Sequence, residues 1–254
     1  MTRLIICGVN GKVGQVLADA ADRTDGVEVV AGVDKFPDVI QNDFPVYRKI
    51  ADCREDAEIV IDFSRPEVLG EILAFVEEKQ IPVVIATTGF SSKEKKRIAK
   101  AAKDVPVFFS ANMSLGVNLQ MNLAKKAAEF LGEDFDIEIV EKHHNQKVDA
   151  PSGTALAIAE YINEAFDDKK EFVNGRHTRT EKRGREIGLH AVRGGTITGD
   201  HTVMFIGEDE IIEINHFAQS KQIFANGALR AAAFVIGKPA GLYDMNDLIR
   251  DGKE

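Results

Sequence analysis

Five short and almost wholly apolar runs recur along the first half of the chain: Leu4–Cys7, Val27–Val33, Ile59–Phe63, Val83–Ala86 and Val105–Ser110. Stretches of helical period separate them at Lys12–Arg23, Pro66–Lys79 and Ser92–Lys103. Runs this short and this apolar read as strands buried on both faces, and helices alternating with such strands cover a parallel sheet from both sides. The first half is therefore expected to be α/β, with a doubly wound parallel sheet of the Rossmann type. Pro66 suits the first turn of its helix, and Ser92 offers an oxygen to cap the next one.

After about residue 112 the rhythm changes. A helix is expected at Leu119–Phe130, a strand at Asp136–Glu141, a second helix from Ser152, then three strands, Gly188–Arg193, Thr196–Ile206 and Glu210–Phe217, with no helix between them. Consecutive strands on short turns predict an α+β domain whose mixed sheet is open on one face. The charged stretch Asp167–Arg185 reads as a surface loop and Gln222–Ile236 as a closing helix. The expected division is 1–112 for the first domain, 113–221 for the second, and 222–254 for a helix and tail returning toward the first.

With 254 residues, 44% of them hydrophobic, the chain can bury a real core. Its formal charge of −9 argues against nucleic acid or an anionic membrane as the main partner, so any site for an anion must be local. No stretch approaches the ~20 apolar residues of a membrane span. Cys7 and Cys53 are too few for a disulfide framework, and a reducing, cytoplasmic setting is expected.

Between the first strand and the first helix lies Gly8-Val9-Asn10-Gly11-Lys12-Val13-Gly14, and Asp34 closes the second strand. Glycines where the backbone must approach a pyrophosphate, a helix start to hold the anion and an acid for ribose hydroxyls are what a dinucleotide requires. The spacing is G-x-x-G-x-x-G rather than G-x-G-x-x-G, and a turn serving only helix–sheet packing would look similar. Two further loops, Ala86-Thr87-Thr88-Gly89 and Ser110-Ala111-Asn112-Met113, follow predicted strands at the ends where open α/β sheets bind ligands, although their residues are also ordinary turn formers. Arg65 stands after the third strand, where it would meet cofactor or substrate charge.

The stretch His143-His144-Asn145-Gln146-Lys147-Val148-Asp149-Ala150-Pro151-Ser152-Gly153-Thr154 carries the chemistry of the second half. An imidazole supplies a proton near neutral pH, a lysine binds a carboxylate, and a helix opening at Ser152 binds a second one. Together they describe a site for a dianionic substrate that must be protonated. Glu141 and His143 would share a strand face, so half of a metal site is the competing reading. Metal binding needs at least one further close ligand, and no metal is expected.

These motifs resemble the dihydrodipicolinate reductase family. The resemblance is carried by the Gly8–Gly14 loop, Ala86-Thr87-Thr88-Gly89-Phe90, Ser110-Ala111-Asn112-Met113-Ser114, the His143–Ala155 stretch, Arg193-Gly194-Gly195 with Gly199-Asp200-His201-Thr202, and Phe224-Ala225-Asn226-Gly227-Ala228. It implies that His143 is the proton donor and Lys147 the second catalytic group, with His144, Gly153 and Thr154 on the substrate. Gly8, Val9, Asn10, Gly11, Lys12, Val13, Asp34, Ala86, Thr87, Thr88, Ser110, Ala111, Asn112 and Met113 would form the nucleotide site. The implied activity is NADH- or NADPH-dependent reduction of a cyclic dicarboxylate in lysine and diaminopimelate biosynthesis, by a homotetramer assembled through the second domain's sheet. Asn145-Gln146 replaces the Arg-His of many members, and Lys35 stands where some relatives carry Arg. Asp34 favours the ribose hydroxyls of NADH while Lys35 can approach the 2′-phosphate of NADPH, so use of both is expected. Two other readings are an amino-acid dehydrogenase with His143 as base, which leaves the Pro-Ser-Gly-Thr helix start unexplained, and a nucleotide sensor, which has no need of the His-His-x-x-Lys cluster.

Overall fold

Each of the five apolar runs becomes a strand in the computed structural model, which describes residues 1–177 and 181–251. The first part of the chain forms β1 (Thr2–Cys7), α1 (Lys12–Asp22), β2 (Val27–Val33), β3 (Val46–Tyr47), β4 (Ile59–Asp62), α2 (Leu69–Lys79), β5 (Val83–Ile85), α3 (Ser92–Ala101) and β6 (Pro106–Phe109). There follow α4 (Leu115–Leu131), β7 (Asp136–His143), α5 (Gly153–Asn163), β8 (Glu171–Asn174), β9 (Glu186–Arg193), β10 (Gly199–Ile206) and β11 (Ile211–Ala218). The chain closes with α6 (Gln222–Val235), β12 (Gly241–Tyr243) and α7 (Met245–Asp251). Two compact units result: Met1–Leu115 together with the chain from Lys221 on, and Gly116–Ser220.

The first unit holds a seven-stranded sheet in the order β12-β6-β5-β4-β1-β2-β3, with every pair parallel. The short strands β3 and β12 extend both edges beyond the five expected ones. One face packs Ile5, Val60, Val83, Ile85 and Val107 against Leu69, Ile72 and Val76 of α2 and Ile98 of α3. The other packs Leu4, Ile6, Ile59, Ile61, Val84 and Phe108 against Leu17 of α1 and Ala225, Ala228, Ala231 and Val235 of α6. Each large side chain buried here contributes about 1.5–3 kcal/mol relative to exposure. The cap of α3 is Ser91 rather than Ser92, because Glu94 lies three residues after Ser91: the Ser91 hydroxyl accepts the Glu94 N–H, and the Glu94 carboxylate accepts the Ser91 N–H, at 3.3 and 2.7 Å. Pro66 opens a short 3₁₀ turn that leads into α2.

The second unit is a mixed sheet in the order β11-β10-β7-β9-β8. β10 runs antiparallel to both β7 and β11, whereas β9 runs parallel to both β7 and β8. β9 and β10 are consecutive in the chain yet flank β7 on opposite sides, so the turn at 194–198 passes over the end of the central strand. The strand expected at Thr196–Ile206 accordingly begins only at Gly199. β8 lies inside the stretch expected to be a loop. Of its four residues only Val173 is buried, which hid it among charges, and residues 178–180 of that stretch lie outside the described residues. Both helices of this unit lie on one sheet face, where Ile137, Ile139, Ile187, Leu189, Val203 and Phe205 meet Ala124 and Ala128 of α4 and Ala155, Ile158 and Ile162 of α5. The period of two continues along this face and brings Glu141, His143, Arg193 and His201 to its far end.

Candidate active site

In the first unit, the loops singled out from sequence all lie at the carboxyl ends of parallel strands. The Gly8–Val13 loop follows β1, where the strand order reverses between β4 and β2. Gly8 has φ +79°, and a Cβ there would sit 2.5 Å from the Phe63 carbonyl oxygen. A Cβ on Gly14 would lie 2.1 Å from the Gly8 carbonyl oxygen, so α1 reaches the loop only because residue 14 has no side chain. Gly11 stands at the N-cap of α1 and brings no side-chain acceptor, and the first turn holds no acid. Lys12 is exposed at that helix start, a position where the helix dipole disfavours a cation unless an anion is shared. Glycine cradle, helix start and lysine fit a pyrophosphate.

Amide side chains brace this loop. Asn10 Nδ2 donates to the Phe36 carbonyl (2.7 Å), Asn42 Nδ2 donates to Asn10 Oδ1 (3.1 Å), and Gln15 Nε2 donates to the Val9 carbonyl and Asn42 Oδ1 (both 3.0 Å). Asp34 accepts the N–H groups of Asn10 and Phe36 at 3.2 and 3.0 Å, which fixes its carboxylate beside the loop. Lys35 is exposed, with Nζ 5.5 Å from the centre of the Phe36 ring, and Arg65 is exposed at the end of β4. Ala86 donates its N–H to the Asp62 carbonyl, and Ser110 donates its N–H to the Ile85 carbonyl, so these two loops ride on neighbouring strands. Ser110 Oγ accepts the Asn112 N–H and Asn112 Oδ1 accepts the Ser114 N–H, shaping the loop around Met113. One residue escaped the sequence reasoning here. Asp62 is fully buried beneath these loops, and burial pushes its carboxyl up against the hydrogen bonds from the Ser64 N–H and hydroxyl.

In the second unit, His143, His144, Lys147, Ser152, Gly153 and Thr154 gather where β7 ends and α5 begins. At their centre is the fully buried Glu141. Arg193 grips it with both terminal nitrogens at 2.7 Å, the Ser152 N–H donates to Oε1 at 2.9 Å, and His143 Nδ1 lies 2.6 Å from Oε2. Burial works to raise the Glu141 carboxyl, but its hydrogen bonds from Arg193, His143 and Ser152 outweigh that and hold it below the ordinary carboxylate range. Both oxygens are thus committed to N–H donors. Arg193 also donates to the Asp149 carbonyl (2.6 Å), and the Asp149 carboxylate holds Lys147 at 2.9 Å, so the predicted lysine is tied into the same cluster. The lysine ammonium, assisted by the Gly153 N–H, lowers the Asp149 carboxyl.

Ser152 caps α5 by accepting the Ala155 N–H (3.1 Å), and its hydroxyl lies 3.3 Å from His201 Nε2. His201 stacks edge-on to His143 at 5.3 Å between ring centres. Burial, and then the neighbouring His143, lower His201 to about 4, so it is neutral near pH 7. The His144 ring nitrogen Nδ1 is buried, and the His144 carbonyl accepts the Lys147 N–H that closes the turn. Glu141 entered the sequence reasoning only as a metal ligand, and Arg193 and His201 only as motif members. The available signal was the two-residue spacing from Glu141 to His143; the pairing with Arg193 follows from the register of β7 on β9.

Comparison with known proteins agrees over the whole chain. The model described as dihydrodipicolinate reductase, N-terminus, matches residues 2–113, and that described as dihydrodipicolinate reductase, C-terminus, matches residues 116–249. The 4-hydroxy-tetrahydrodipicolinate reductase of Caldanaerobacter subterraneus subsp. tengcongensis is 54% identical over 99% of this chain and 100% of its own, and that of Clostridium novyi is 44% identical over 98% and 99%. The structure of a dipicolinate-bound dihydrodipicolinate reductase from Paenisporosarcina sp. matches with a TM-score of 0.82 and 25% identity, covering 97% of this chain and 99% of that one. A parallel sheet with a glycine cradle, a mixed sheet ending in a His–Glu–Arg cluster, and matches to both halves in chain order lead to one conclusion: the chain belongs to the dihydrodipicolinate reductase family.

Proposed function

We propose that this protein reduces 4-hydroxy-tetrahydrodipicolinate with NADH or NADPH, and that His143 gives the proton that completes the reduction. The observation that carries the reading is the cluster in which a buried carboxylate holds His143 beside a lysine and a capped helix start. When bound, the reduced nicotinamide supplies hydride to an electrophilic ring carbon of the substrate. Gly8–Val13 and Lys12 would hold the pyrophosphate, Asp34 the adenosine ribose, and Ala86–Thr88 with Ser110–Met113 the nicotinamide end. Lys35 and Arg65 supply local positive charge in an otherwise acidic chain.

For the ring atom that becomes electron-rich, His143 Nε2 is the proton source, because Nδ1 is occupied by Glu141. Gly199 leaves space at that nitrogen: a Cβ there would lie 3.0 Å from Nε2. Lys147 and the start of α5, with Gly153 and Thr154, would bind the two carboxylates, and His144 would line the same site. The Paenisporosarcina reductase was solved with dipicolinate bound, a small dicarboxylate, and this set of donors suits such a ligand. No helix among the described residues is long and apolar enough to cross a membrane, and we place the enzyme in the cytoplasm. The sheet face of the second unit that carries no helix, with Phe217 and Ile211 exposed, is the surface through which a homotetramer would form.

The test is cofactor oxidation, followed by absorbance, with freshly made product of dihydrodipicolinate synthase. His143→Gln is expected to lower kcat by roughly 10²–10⁴ with a smaller change in NADH affinity. Unchanged turnover in that variant would remove His143 from the mechanism.

A further inference from the structure

We propose that Glu141 is a positioning residue that fixes the tautomer and the aim of His143, and that Arg193 keeps it ionised to do so. The proposal rests on the reading of His143 as proton donor. Four N–H groups converge on two oxygens: Oε2 takes His143 Nδ1 and Arg193 Nη1, and Oε1 takes Arg193 Nη2 and the Ser152 N–H. An ionised carboxylate only accepts, so His143 Nδ1 must carry a hydrogen in both charge states of the ring. The proton that leaves is therefore always the one on Nε2. After it has left, Nδ1–H stays on Glu141 and the ring cannot turn over, which returns the same nitrogen to duty in each cycle.

Among the described residues, no other hydrogen bond anchors the His143 ring. His201 meets it edge-on rather than through a hydrogen bond, and its Nε2 faces Ser152 Oγ. Through the Ser152 N–H, the same carboxylate ties the histidine to the first residue of the helix start, so acid and anion-binding backbone are held in one frame. Glutamine at 141 keeps the size but fails in either orientation. Its NH₂ group replaces one oxygen, and each oxygen already faces two donors.

The experiment has two arms. In ¹⁵N-histidine-labelled enzyme, with His143 assigned through His143→Gln, the neutral ring is expected as the single Nδ1–H tautomer, and in Glu141→Gln as a mixture. Predominance of Nε2–H in the unmodified enzyme overturns the proposal and needs no variant that folds poorly. In the kinetic arm, Glu141→Gln is expected to lower kcat at least a hundredfold, yet to lower it less than about threefold when added to His143→Gln, because residues acting as one unit are not additive. The same factor in both backgrounds means that Glu141 acts structurally and refutes positioning. If His143→Gln alone leaves turnover unchanged, the proton-donor reading fails, while the tautomer measurement still decides whether Glu141 holds the ring.

Discussion

Gly14→Ala should weaken the fold and cofactor binding together, although helix propensity alone says the reverse. Alanine in a helix interior is favoured over glycine by about 1 kcal/mol. Here the added Cβ would stand 2.1 Å from the Gly8 carbonyl oxygen, 2.7 Å from that of Val9 and 2.8 Å from Val9 Cα, where ordinary contact begins near 3.4 Å. All three atoms are backbone, so no side-chain rotation relieves them, and α1 must retreat by about an ångström. That retreat is opposed by Leu17 and Ala21, both wholly buried against the sheet and α6. Overpacking of this kind costs about 1–3 kcal/mol or more, which exceeds the propensity gain at all but the lower end. The displacement falls on Gly8–Gly11, so NADH affinity should drop at least tenfold, about 1.4 kcal/mol. Fluorescence titration with NADH and urea unfolding followed by circular dichroism measure the two effects. A variant with NADH affinity within twofold of the parent and an unchanged or raised unfolding midpoint would refute the packing argument.

Acid should destabilise the second unit through His201. Its ring is held at about 4 in the fold against about 6.5 when unfolded, so the unfolded chain binds the proton first and stability is complete above about 6.5 and lost as pH falls toward 4. The difference amounts to about 3 kcal/mol, and urea midpoints at about pH 7 and pH 4.5 should fall further apart in the parent than in His201→Gln; equal separations would contradict it. For nucleotide choice, Lys35→Ala should raise KM for NADPH up to about fivefold and leave NADH unchanged, since an exposed point charge contributes ~0–1 kcal/mol. An unchanged KM for NADPH in that variant would mean that Lys35 stays over Phe36 and never meets the phosphate.

The parallel strands were legible because burial on both faces makes them continuous apolar runs, as in Ile59-Val60-Ile61. β3 and β12, of two and three residues, carry no periodicity to read. β8 was lost because its neighbours are charged for a local reason: the Glu133 carboxylate binds Lys170 and Arg185, which border that strand and the next. The His143–Thr154 string was legible as a cluster, since those residues are near one another in the chain and gather where β7 ends and α5 begins. The partnership of Glu141 with Arg193 was not legible, because 52 residues separate them and only sheet register, which sets Arg193 opposite His143, brings the guanidinium within reach of Glu141. The strand order likewise separates β9 from β10, adjacent in the chain, because β7 lies between them.

The first unit is interrupted in the chain, and this orders events during synthesis. β1 to β6 are complete by Phe109, but the face made by Leu4, Ile6, Ile61, Val84 and Phe108 is covered in part by α6, which begins only at Gln222. At ~5–20 residues per second, a ribosome needs on the order of ten seconds to make the intervening segment. During that interval the nascent nucleotide-binding unit presents an apolar sheet face with α6 and α7 still missing. The chain is thus exposed to chaperones, or to other nascent chains, until α6 emerges.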